Sequence, residues 1–285
     1  MTKKYKLPKI EELFEAGVHF GHQVRRWHPS MEKYIFTARG GIHIVDLEKT
    51  DLLLKEACEF MYGVAKKGDK VIFVGTKKQS KEIVQAEAER CGAHHVTERW
   101  LGGTITNFSV IKKNVDKLVA LKEGKDKGEF EKYTKKERLL IDRQIAKLTI
   151  KVGGLLGLKK IPSAVFVVDP RREKTAVSEA KISEVPVAAL VDTNCNPQRI
   201  DYPIPGNDDA IKSVALIMKA IADAVEAGYG AFAKSQEDLE KVEKKEAPKK
   251  NTSIKPKTEK KKVTKKKTGI KSKKKKEGKK DAKKN

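Results

Sequence analysis

The chain has 285 residues, with 63 Lys and Arg against 39 Asp and Glu and a formal net charge of +24. No apolar stretch follows the basic Met1–Lys9, and no run is long enough to span a bilayer, so the composition excludes a secretory signal and a membrane span. Cys58, Cys91 and Cys195 are far apart and outside any CxxC, which excludes a disulfide framework or zinc ribbon and points to a reducing cytoplasm.

Charge divides the chain. Lys241–Asn285 holds 22 lysines against five acids, with no aromatic residue, and so carries +17, leaving +7 for Met1–Glu240. Few apolar residues punctuate the tail, so nothing offsets the entropy of ordering it. We expect disorder and salt-sensitive, sequence-blind affinity for phosphate. Met1–Glu240 has room for one sizeable domain.

In chain order, Ile42–Val45 is a weak strand candidate. Leu53, Ala57, Phe60, Met61 and Val64 recur at helical spacing before Gly68. Val71–Val74 is an uninterrupted apolar run, as are Ala164–Val168 and Val187–Val191. Such valine-rich runs suit strands covered on both faces of a parallel sheet. Ser80 can cap a helix over Lys81–Arg90 that Gly92 closes. Asn207 can cap another, with Asp208 and Asp209 in its first turn and Gly228 at its exit. Strand and helix alternation predicts an α/β domain. Phe108, Ile111, Val115 and Leu118, then Ile141, Ile145, Leu148, Val152 and Leu155, carry heptad-like spacing on either side of a Gly-, Lys- and Asp-rich turn. Thr134 and Glu137 form a capping box before the second run. This predicts an antiparallel helical hairpin inserted in the domain. The expected boundaries are 1–104 and 159–236 for the α/β domain, 105–158 for the hairpin and 237–285 for the disordered tail.

Three segments mix cations with flat or small residues. Val74–Ser80 (VGTKKQS) follows a strand and precedes a helix, where α/β proteins hold phosphate, but it matches neither a Walker A loop nor GxGxxG. Lys77, Lys78 and Lys81 there suit an RNA backbone. His22–Pro29 (HQVRRWHP) interleaves Arg25 and Arg26 with Trp27, pairing guanidinium forks for phosphate with a ring that stacks on bases. Arg99 and Trp100 repeat that chemistry before Gly102 and Gly103. Either tryptophan is equally suited to core packing. Arg171, Arg172 and Lys174 follow a strand's carboxyl end and can hold phosphates. No nucleophile constellation exists. His19 and His22 lack a neighbouring ligand pattern, so no catalytic metal is read. Whether one of them meets Asp192, Asp208 or Asp209 in a structural metal site depends on tertiary structure.

Taken together, Glu15–His22 (EAGVHFGH), Gly41–Thr50 (GIHIVDLEKT), Phe73–Gln79 (FVGTKKQ), Arg99–Thr104 (RWLGGT) with Thr106 and Asn107, and Val191–Asn194 (VDTN) leading into Ile204–Ala210 (IPGNDDA) resemble the S2 family of bacterial small-subunit ribosomal proteins. The match runs over about Leu7–Phe232 and excludes the lysine-rich tail. The resemblance implies a flavodoxin-like three-layer α/β/α fold with the helical-hairpin insertion. It implies no enzymatic activity and no cofactor. Expected partners are small-subunit ribosomal RNA and neighbouring ribosomal proteins, including the large mRNA-binding protein of that subunit where the organism has one, with no membrane and no small-molecule substrate. The RNA-contact candidates Arg25, Arg26, Trp27, Lys77, Lys78, Lys81, Arg99, Trp100, Arg171, Arg172 and Lys174 are chosen by charge and position. A nucleotide- or sugar-phosphate-binding α/β enzyme is the alternative reading, and a DNA-coating protein driven by the tail is a third.

Overall fold

The computed structural model describes residues 5–246, and side chains as far as residue 236. The tail expected over 237–285 lies beyond these residues from 247 onward.

The apolar runs form the middle of one sheet. Strands β4 (Val71–Val74), β5 (His94–Val96), β6 (Ala164–Val168), β7 (Val187–Val191) and β8 (Tyr202–Pro205) pair in parallel in the order β5-β4-β6-β7-β8. Every residue of β4, β6 and β7 is buried. Successive side chains point to opposite faces of a strand, so each run feeds two cores. Val71, Phe73, Phe166 and Leu190 join one. Ile72, Val74, Val165 and Val191 join the other. That is why these strands read as continuous apolar runs rather than as alternation.

Helices α2 (Leu47–Lys66), α3 (Lys81–Cys91) and α7 (Ile211–Glu246) contribute to the first core. Helix α6 (Lys174–Ile182) covers the second, together with the base of the hairpin formed by α4 (Phe108–Asp126) and α5 (Lys135–Val152). Ile111, Val115 and Leu118 of α4 are buried, as is Val152 at the foot of α5. The Thr134–Glu137 capping box forms as expected: the Thr134 hydroxyl accepts from the Glu137 N–H and the Glu137 carboxylate accepts from the Thr134 N–H. Together these layers make the three-layer α/β/α sandwich with its inserted hairpin.

Two local expectations are corrected. The Ser80 side chain makes no cap bond to the α3 N-terminus; its hydroxyl donates to the Lys77 carbonyl instead. Helix α7 does not end at Gly228 but runs through it, because Gly228 packs against Ala65 of α2. Asn207 does act near the start of α7, its side-chain oxygen accepting from the Asp209 and Ala210 N–H groups, but the helix begins at Ile211, so Asp208 and Asp209 precede its first turn instead of lying in it.

A feature absent from the sequence reading is a second, three-stranded antiparallel sheet. Strands β1 (Phe20–Gln23), β2 (Ile35–Arg39) and β3 (Ile42–Val45) pair in the order β1-β3-β2. Helix α1 (Ile10–Glu15) precedes it, burying Leu13.

Candidate nucleic-acid interface

Thr193, directly after β7, pins the small sheet to the carboxyl end of the large one. Its hydroxyl accepts from the His22 N–H (2.8 Å) and its carbonyl accepts from the His28 N–H (2.8 Å). Gly21 makes the approach feasible: a Cβ there would stand 2.6 Å from the Thr193 methyl. The His22 imidazole adds ionic contacts to Asp192 (3.0 Å) and Asp209 (3.5 Å). The segment between these anchors carries Arg25, Arg26 and Trp27, and so is held at the sheet's carboxyl edge.

There it forms one wall of a cleft of about 570 Å³. The opposite wall is the turn entering α6. Asp169 follows β6 with φ of +60°, a conformation that Asp tolerates better than most residues. Its side chain accepts from the Arg172 N–H (3.1 Å), closing the turn. Arg171 and Lys174 line the cleft from this side. The floor and far end come from the segment after β7, with Asn194, Cys195 and Arg199. Asn196 caps the short turn that presents Arg199, accepting from the Gln198 N–H (3.0 Å). Arg26, Arg171, Lys174 and Arg199 are all exposed, and among the described residues no carboxylate lines the cleft.

Of the sequence-chosen residues, the cleft thus gathers Arg26, Trp27, Arg171 and Lys174. Arg25, Lys78 and Arg99 are exposed but do not line it. Lys81 pairs with Glu98 at 2.6 Å. Arg172 is exposed and does not line the cleft; its Nε–H donates to the Thr76 hydroxyl (3.0 Å), which in turn donates to buried Glu173. Burial pushes the Glu173 carboxyl up, against the Thr76 hydrogen bond. Trp100 is core: it is 6 % exposed and its indole N–H donates to Glu179 (3.1 Å). The same carboxylate accepts from the Gly103 and Ile105 N–H groups (2.8 and 3.0 Å) and from Thr106, so Glu179 organises the whole RWLGGT loop from inside. Burial pushes its pKa up, but the hydrogen bonds from Ile105, Gly103, Trp100 and Thr106 outweigh that and lower it. Arg199, Asn194 and Glu179 were missed. Glu179 left a signal, an acid among Ala176, Val177 and Ala180 on a buried helix face.

Lys77 is committed to the protein itself. Its ammonium lies 2.8 Å from Asp208, 2.6 Å from Asp209 and 3.6 Å from Asp169. Burial alone would lower its pKa; the bonds to Asp208 and Asp209 raise it. His22, Asp208 and Asp209 place ligand atoms within 4.8 Å of one another. The Lys77 ammonium already supplies a cation to those two aspartates. His19 takes no part in this cluster; it lies between the rings of Phe14 and Phe20, at centroid distances of 4.5 and 4.1 Å.

The cluster also bears on the enzyme alternative. In a sheet of this order, ligands bind at the carboxyl ends of the strands flanking the point where strand order reverses, here β4 and β6. There Thr76, Arg172 and Glu173 bond to one another, and the Lys77 ammonium beside them is already paired with Asp169, Asp208 and Asp209 rather than left for a nucleotide phosphate.

The family model described as Ribosomal protein S2 matches residues 13–228. The chain belongs to the ribosomal protein S2 family. Among curated S2 relatives, the small ribosomal subunit protein uS2 of Dehalococcoides mccartyi is 51 % identical over 216 residues, 76 % of this chain and 88 % of the relative. The protein of that name from Dictyoglomus thermophilum is 52 % identical over the same share of each chain. That from Geotalea uraniireducens is 50 % identical over 235 residues, 82 % of this chain and 92 % of the relative. The S2 family is structural rather than enzymatic, and the α/β sheet serves as its scaffold. Among the described residues no helix is long and apolar enough to cross a membrane.

Proposed function

We propose that this S2-family chain is built into the small ribosomal subunit by binding its ribosomal RNA, with the cleft at the sheet's carboxyl edge as a principal contact. The observation that carries this is the convergence of Arg26, Arg171, Lys174 and Arg199, from three separated parts of the chain, around one concavity without a carboxylate. Guanidinium and ammonium groups so placed neutralise phosphate and release its counterions. Arg25, Lys78 and Arg99 extend the basic surface. Neighbouring ribosomal proteins, including the large mRNA-binding one where the organism has it, are partners on the remaining surface, in the cytoplasm.

The test is reconstitution. Small subunits stripped of their S2-family protein are mixed with parent chain or with Arg26→Glu/Arg171→Glu, and co-sedimentation is measured across a salt series. The parent is expected to bind with an affinity that falls steeply with salt. The double charge reversal is expected to weaken binding at least tenfold, as the loss of about two phosphate contacts implies. Equal binding by both proteins refutes the cleft as an RNA contact.

A further inference from the structure

The cleft is more mixed in chemistry than a phosphate backbone requires. A duplex presents convex ridges of phosphate, which a flat basic surface serves. Here the cations stand around a concavity of about 570 Å³ whose lining also includes Trp27, Val177 and Ile200. That volume falls in the range of sites that enclose a small ligand. The Trp27 indole is braced by the His43 ring, 5.2 Å away between centroids and tilted by 42°. Asn194 lines the same cleft, and its side-chain oxygen is a buried acceptor with no hydrogen-bond partner. A buried acceptor left unpaired is costly, so a donor from a ligand has something to gain there.

Cations for a phosphate, an aromatic and apolar wall for a ring, and an unused acceptor for an amino or hydroxyl group describe one ligand class, a nucleotide. Resting on the reading that this protein binds ribosomal RNA, we propose that the cleft takes in a single unpaired nucleotide of that RNA. Arg171 and Lys174, at the start of α6, hold its phosphate. The base enters against Trp27, and Asn194 accepts from its exocyclic amino group or from the ribose 2′-hydroxyl. Unpaired bases are what proteins read in RNA, since they are free to leave the helix and stack on a side chain.

Ser178 allows the niche to be closed without altering charge, since it lines the cleft and is half-buried. Stripped subunits are reconstituted with the parent chain, with Ser178→Trp and with Asn194→Ala, and the ribosomal RNA is probed with base- and 2′-hydroxyl-reactive reagents. The parent is expected to protect an isolated unpaired nucleotide. Both variants are expected to expose it while leaving the other protections in place. Ser178→Trp should bind subunits about tenfold more weakly, the loss of one base–aromatic stack. Circular dichroism of both variants checks that they fold, and the milder Asn194→Ala keeps the test valid if Ser178→Trp does not. Unchanged protection in folded variants overturns the niche while leaving the ribosomal RNA reading intact. A second arm titrates the four nucleoside monophosphates against purified protein, following Trp27 fluorescence with Trp27→Phe as the control. Saturation in the micromolar range, with no RNA nucleotide protected, would reassign the cleft to a free nucleotide and overturn the proposal.

Discussion

At the scale of single residues, Asp208 is the most perturbed acid near the interface. It is 1 % exposed, and burial, then the charges of Asp192 and Asp169, push its pKa up to about 7 in spite of Lys77. An unfolded aspartate titrates near 4. Between those values the folded protein holds a proton that the unfolded chain has lost, so stability falls as pH rises through that window. His22 acts in the same direction. Its pKa is raised, first by its hydrogen bond to Asp192, so its contribution is complete below about pH 6.5 and is lost as pH rises through the raised value. Asp208→Asn keeps an acceptor for Lys77 and removes the charge. Thermal melts from pH 5 to pH 8 are expected to show a flatter pH dependence for D208N, with a midpoint above the parent's at pH 8. A parent-like slope would mean that the cluster does not set the pH response. Single residues are also where the sequence was least readable. Arg26-Trp27 and Arg99-Trp100 are the same dipeptide, yet one tryptophan lines a cleft and the other fills a core. The difference is Glu179, 79 positions away from Trp100, which no local pattern connects to it. Lys77 reads as a free cation because Asp208, its hydrogen-bonded carboxylate partner, lies 131 residues downstream.

Elements were legible where one local rule determined them. The fully buried strands announced themselves as valine runs, and the hairpin helix α5 by its capping box. The antiparallel sheet did not, because β1 and β2 are short and largely exposed and carry no clean alternation. Gly228 misled for a related reason. Glycine marks helix ends when its φ is positive, but here it is a gap in a helix face. A Cβ at 228 would stand 2.5 Å from that of Ala65 and 2.8 Å from the Tyr62 carbonyl. Gly228→Ala would gain about 1 kcal/mol of helix propensity and lose about 1–3 kcal/mol to overpacking against backbone, which has nowhere to go. Gly230 sits two residues on with open space around it. Urea titrations are therefore expected to show a lower midpoint for Gly228→Ala and a raised one for Gly230→Ala. Two shifts of the same sign would show that the contact between α2 and α7 is looser than it looks.

Over the whole molecule, charge is distributed unevenly. The hairpin, Phe108–Val152, holds 13 Lys and Arg against seven Asp and Glu, a surplus of six out of the +7 in Met1–Glu240. The rest of the folded part is close to neutral, so its basic cleft is a matter of placement rather than of excess. Residues 247–285 add 19 lysines against three acids. A chain truncated after Glu246 is expected to join stripped subunits as the parent does, but to bind unrelated RNA more weakly and with a shallower dependence of log affinity on log salt. If the truncated chain fails to join, specificity resides in the lysines and not in the fold.

The three walls of the cleft come from residues 26–28, 170–178 and 194–200. A ribosome makes about 5–20 residues per second, so roughly ten seconds or more separate the first wall from the last. Helix α2 waits a comparable time for α7, its partner across the first core. A nascent chain, or one ended before residue 194, therefore carries Arg26 and Trp27 without the cleft that they help to line. The geometry of the cleft therefore marks that synthesis has passed β7 and the segment after it, and a chain that stops before that point lacks it however well its earlier elements fold.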